Sequence, residues 1–147
     1  MKPTPKKQTG FTLIEIVIVL AIAALIMVIV FLAVAGAQRA QRDNTNKAAA
    51  GQALSQAEQF LANNSGLYPA TAMPSPYLEK ITSSTGTNPS SAVGAVSAFA
   101  KDSFGKITVS TKATCNASKD AIIAGDNTQA AVLWYSEGSG ASQCITN

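Results

Sequence analysis

The sequence predicts an α+β chain, with a long N-terminal α-helix, transmembrane in its first half and amphipathic in its second, packed on a small antiparallel β-sheet. Three observations predict it. Residues 11–37 form an apolar run interrupted only by Thr12, Glu15 and Gly36. Beyond Gln38 the chain turns polar but keeps one apolar face. From Phe104 onward, short apolar or alternating segments are separated by turn residues.

The apolar run exceeds the roughly 20 residues that a bilayer-spanning helix needs, and exceeds the roughly 7–15 of a secretory signal core. It must be helical to span, because hydrocarbon leaves bare backbone polar groups unsatisfied. Ala35-Gly36-Ala37 fits the small-residue pattern of ordinary signal peptidases, but the apolar core before it is too long for that reading. Glu15 is the one charge in the run. A carboxylate in lipid costs on the order of 3 kcal/mol or more and is a functional hypothesis by default. The plainer account places it near the helix start, where the macrodipole favours an anion.

The helix is expected to continue. Ala50, Ala53, Leu54, Ala57 and Leu61 recur at helical spacing with Phe60 beside them, giving one apolar face. No proline interrupts residues 11–68, so a single helix from Phe11 to Asn63, about 80 Å long, is expected. Asn64-Ser65-Gly66 supplies the stop, with Gly66 suited to a left-handed position.

Residues 70–100 are rich in Ser, Thr, Ala and Pro and read as a long connection with one short helix near Ser91 to Lys101. Lys106 to Lys112 alternates polar with Ile107 and Val109 and reads as a half-buried strand. Ala121 to Ile123, Gln129 to Ser136 (the most apolar, hence central) and Ala141 to Thr146 complete a sheet of three or four strands.

The N-terminal stretch Lys-Gln-Thr-Gly followed by Phe-Thr-Leu-Ile-Glu, residues 7–15, resembles the class III signal of type IV prepilins. The shared elements are a short basic leader, Gly10 before the cut, Phe11 after it, and Glu15 five residues into the mature chain. The resemblance implies cleavage between Gly10 and Phe11 by a membrane-embedded prepilin peptidase and N-methylation of Phe11. It also implies assembly into a helical homo-oligomeric filament, in which Glu15 pairs with the Phe11 amino group of a neighbour. It implies the pilin "lollipop" fold, and an assembly platform in the membrane as partner. Asn64 to Pro69 resembles the turn that follows the helix in many pilins and pseudopilins. Many bacterial pilins carry a helix-breaking residue within the apolar run; this chain has none before Gly36.

On this reading residues 1–10 are the leader, 11–37 the transmembrane and filament-core helix, 38–66 its amphipathic continuation, and 67–147 the head domain. Lys2, Lys6 and Lys7 lie in the leader. Without them eight basic residues face eight acidic ones, so the formal +3 belongs to a discarded peptide. The positive-inside count ties, with three cations on either side of the span; the resemblance places the leader in the cytoplasm and the head outside. Cys115 and Cys144 are the only cysteines. A bridge closing this loop contributes roughly 3–4 kcal/mol, and two buried free thiols are the alternative. The resemblance favours the bridge, as part of a disulfide-bounded C-terminal region.

The composition excludes several chemistries. With no histidine, a Ser-His-Asp triad is impossible. No phosphate loop or Cys-x-x-Cys occurs, and Asp126 with Glu137 makes a poor calcium set. Lys101, Lys106, Lys112 and Lys119 read as a solvated strand face rather than a DNA surface, because Asp102 and Asp120 offset them and counterion release needs clustered cations. Asn63-Asn64-Ser65 and Asn116-Ala117-Ser118 match the glycosylation sequon, a common chance match.

The expected function is therefore non-enzymatic and needs no cofactor. The chain reads as a structural pilus subunit serving adhesion, twitching motility or DNA uptake. It would wait in the cytoplasmic membrane as a single-pass precursor before joining an extracellular filament. The alternatives are a pseudopilin or minor pilin of a secretion or competence system and, from another class, a membrane-anchored binding domain.

Overall fold

The computed structural model describes residues 10–100 and 103–147. Most of the expected leader, together with Lys101 and Asp102, lies outside the described residues. One helix, α1, runs from Leu13 to Asn63. The chain divides between Ala37 and Gln38 into two compact units. In the first, the side chains from Phe11 to Val34 are exposed, and the helix is long and apolar enough to cross a membrane by length and composition. Such a surface is stable only in lipid or against other apolar surfaces.

The second unit carries the head. Six strands follow α1: β1 (Ser90–Val93), β2 (Ile107–Thr111), β3 (Ala113–Cys115), β4 (Ile122–Ala124), β5 (Ala130–Ser136) and β6 (Ala141–Thr146). The main sheet has the order β1-β2-β5-β6, and β3 and β4 form a separate hairpin. The β2–β5 and β5–β6 pairs are antiparallel, but β1 runs parallel to β2. The sheet is therefore mixed.

Period-2 alternation sorts the strands onto two cores. Ile107, Val109, Ala130, Val132 and Trp134 pack against Ala49, Ala50, Ala53, Ala57 and Phe60 of α1. The four alanines keep this helix face flat, so the sheet can approach its backbone. On the other side Ala131, Leu133 and Cys144 pack beneath Ala113 and Ile122 of the hairpin, with Val96 and Phe99 at the margin. The head is thus three layers: helix, sheet, hairpin.

This outer layer explains two departures from the sequence reading. Strand β2 is buried at all five positions instead of alternating, because its polar face is covered. There Ser110 Oγ donates to the Gly94 carbonyl and the Thr108 and Ser90 hydroxyls pair at 2.8 Å. The helix expected near Ser91 to Lys101 is replaced by β1 and by a bridge between Val96 and Ile122, which draws the following segment over the sheet. The strand expected at Ala121 to Ile123 is shifted by one residue, to Ile122–Ala124, and it belongs to the hairpin.

The Cys115–Cys144 disulfide fastens the hairpin to β6, with a Cα–Cα distance of 5.8 Å. The Asn116 carboxamide is committed inside the hairpin turn: it donates to Asp120 Oδ1 at 2.6 Å and accepts the Asp120 and Ala121 N–H groups. In the other sequon Asn63 Nδ2 donates to the Tyr77 hydroxyl.

The end of α1 follows the expected chemistry with one addition. Gly66 has φ +78°, but Ser65 before it is also left-handed at +59°, and Gly66 N–H closes the helix on the Leu61 carbonyl at 3.0 Å. Tyr68 folds back to place its ring 6.2 Å from that of Phe60. Its hydroxyl is enclosed without a hydrogen-bond partner. Burial, and secondarily the Glu58 carboxylate, push its pKa up to about 12 from an ordinary 10.0.

A folded-state pKa above the unfolded value stabilises the fold fully below pH 10, and that contribution is lost as pH rises through 12. Denaturation midpoints of the full chain in detergent should therefore fall over this window, and Tyr68→Phe should blunt the fall. At neutral pH that variant should be no less stable than wild type, since it removes an orphaned hydroxyl. A lower midpoint for Tyr68→Phe at pH 7 would contradict this assignment.

Candidate processing and assembly site

The segment from Gly10 to Glu15 joins an irregular backbone to a capped helix. Gly10 and Phe11 lie outside α1 and are exposed, Phe11 by 85%. Nothing lies within 4 Å of the position that a Cβ on Gly10 would occupy. A protease must bind its substrate around an accessible, non-helical peptide bond, and the Gly10–Phe11 bond meets that requirement.

The helix starts at Leu13, two residues later than the sequence reading placed it, and the cause is local. Thr12 N–H and Thr12 Oγ1–H both donate to Glu15 Oε2, at 2.8 and 2.7 Å, and Glu15 N–H donates back to Thr12 Oγ1 at 3.4 Å. This is a capping box: a Thr at the N-cap and a Glu three residues on satisfy each other's backbone donors. It fixes the helix boundary just after the exposed bond and holds the Glu15 carboxylate at the positive end of the helix. The Thr-x-x-Glu spacing was readable in the sequence, yet the reading assigned Glu15 only to charge pairing and the macrodipole.

Residues 5–31 match the family model described as the prokaryotic N-terminal methylation motif. This motif is the class III signal of type IV pilins and related prepilins. The match ends within α1 and covers none of the head. No curated protein and no solved structure matches the chain. The motif, with the apolar helix behind it, is that of a membrane-anchored, pilin-like precursor.

Asp126 and Glu137, a poor calcium set on sequence grounds, lie in separate surroundings. Glu137 lies beside Arg39 and Arg42, at 3.9 and 3.7 Å, while Asp126 N–H bonds the Gln129 side chain in a separate turn. Among the described residues no three His, Cys, Asp or Glu side chains converge.

Sequence reasoning missed Asp43. From α1 its carboxylate accepts the Glu137 and Gly138 N–H groups, each at 2.7 Å, and the Ser136 hydroxyl at 3.0 Å. It is the polar bolt between the helix and the β5–β6 turn. Asn46, fully buried one turn later, accepts the Ser84 N–H at 2.9 Å.

Proposed function

We propose that this chain is a structural subunit of a type IV pilus, with no catalytic role. A prepilin peptidase cuts between Gly10 and Phe11 and methylates the new Phe11 amino group. The subunit waits in the cytoplasmic membrane through residues 11–37, then enters a homo-oligomeric extracellular filament through the assembly platform. In the filament the exposed apolar side chains of neighbouring helices replace lipid contacts. The head domains form the surface, stapled by Cys115–Cys144.

The observation that carries this reading is an exposed, non-helical Gly10–Phe11 bond directly before a capped apolar helix, inside a matched methylation motif. Glu15 supplies the ordering step. Held by Thr12 in the free subunit, its carboxylate exchanges that cap for the Phe11 ammonium of a neighbour. An unpaired charge in a low-dielectric site costs several kcal/mol, and pairing removes most of that cost.

The decisive experiment is mass spectrometry of the mature N-terminus. The expected result is a chain beginning at Phe11 that carries one methyl group. A chain retaining residues 1–10 would overturn the reading in favour of a plain membrane-anchored domain. Abundance in sheared surface filaments separates a major pilin from a pseudopilin.

A further inference from the structure

The two cores of the head are unequal. The one between α1 and the sheet buries fourteen residues, among them Phe60, Tyr68, Met73, Leu78 and Trp134. The one between the sheet and the hairpin buries five, and three of these, Ala131, Leu133 and Cys144, belong to the sheet itself. The hairpin supplies only Ala113 and Ile122, from strands of three residues each. A two-stranded hairpin of that size is marginal at best without support.

Hydrogen bonds supply little of that support. The outer layer consists of residues 95–100 and 113–124. Val96 and Ile122 exchange main-chain bonds at 3.0 Å, but both lie within this layer, as do the bonds of Asn116. Among the described residues three links leave it. Ala113 N–H donates to the Gln129 carbonyl, at the stem of the hairpin, and the Ala100 carbonyl accepts from Ser103 N–H in a local turn. Phe99 N–H donates to Ser142 Oγ at 2.7 Å, and the Ser142 hydroxyl donates back to the Phe99 carbonyl at 3.3 Å. The remaining tie to the sheet is covalent, Cys115–Cys144.

We propose that this disulfide is a two-electron latch: reduced, the outer layer opens while α1 and the main sheet stay folded; oxidised, it is held shut. Cys115 is half-buried and Cys144 is 5% exposed, so a dithiol reductant attacks the Cys115 sulfur and Cys144 leaves as a thiolate. The second thiol of the reductant then displaces Cys115. Two electrons and two protons pass from the dithiol to the cysteines, and the reductant departs as a disulfide. Opening uncovers the Leu133 side of β5, so a reduced head presents an apolar surface that an oxidised head hides. The inference concerns the head alone and depends on neither cleavage nor polymerisation.

Hydrogen–deuterium exchange of the full chain in detergent, with and without a dithiol, tests the latch. After reduction the amides of β3, β4 and Val96 should exchange at least about tenfold faster, while those of β5 and of residues 49–60 in α1 keep their protection. Cys115→Ala with Cys144→Ala should reproduce this pattern without reductant. Ser142→Ala, which removes the Phe99 bonds and keeps the disulfide, should leave β3 and β4 protected.

Equal acceleration in β5 would show that the bond secures the whole head, and unchanged β3 and β4 would show that the hairpin stands without it. Either result overturns the latch. So does loss of protection in β3 and β4 of Ser142→Ala while the disulfide is intact.

Discussion

Glu15→Gln should yield a subunit that is cut and methylated normally but assembles into filaments at least tenfold less than wild type. The prediction separates two roles held by one side chain. Glutamine at the third helical position still closes a capping box, so the helix start and the exposed Gly10–Phe11 bond are preserved. It carries no charge, so it cannot neutralise a neighbour's ammonium inside the membrane.

Thr12→Ala makes the converse change. It removes the hydroxyl contacts seen at 2.7 and 3.4 Å and costs about 1 kcal/mol of helix capping, while leaving the carboxylate. Filament yield from Thr12→Ala should fall far less than from Glu15→Gln. Sheared-filament yields normalised to membrane subunit levels would measure both. Wild-type yield from Glu15→Gln would show that the carboxylate acts only as a cap, and the pairing role would be lost.

The second large effect is expected at Asp43. Asp43→Ala removes the acceptor for two backbone N–H groups at 2.7 Å and one hydroxyl at 3.0 Å. Hydrogen bonds to a charged group contribute about 1.5–3 kcal/mol each, and these three are coupled and partly exposed, so the loss should be about 2–4 kcal/mol. Gly138→Ala tests the same junction from the other side. A Cβ on Gly138 would sit 2.7 Å from Asp43 Oδ2, closer than carbon and oxygen tolerate. The turn must then move and lengthen its hydrogen bonds. Thermal melts of the full chain in detergent would report both losses. A melting temperature within about 2 °C of wild type for Asp43→Ala, no more than roughly 1 kcal/mol would produce at this chain length, would contradict the bolt.

Local signals were legible in the sequence and distant ones were not. The apolar run, the alanine face of α1 and the turn around Gly66 announce themselves within a few residues, because helix periodicity and backbone conformation are short-range properties. The candidate site at residues 10–15 is contiguous for the same reason. Asp43 could not be read this way, since its partners lie 93 to 95 residues along the chain.

The outer layer was hidden for a different reason. The alternating pattern of β2 is what an open sheet face would show. Its Ser and Thr side chains are instead buried by pairing with hydroxyls and carbonyls of residues 90–94. Strand β1 was lost because Ser90-Ser91-Ala92-Val93 has little strand propensity of its own, and pairing with β2 supplies what it lacks. The match of residues 5–31 adds nothing here, since it stops long before these elements.

Strand β5 has partners on both edges and a packed layer on both faces. Its amide protons can meet solvent only when the head opens as a whole, so their exchange for deuterium is governed by the global unfolding equilibrium rather than by local breathing. The slowest amides of this chain therefore gauge the integrity of the entire head, whether the subunit is dispersed in lipid or locked in a fibre.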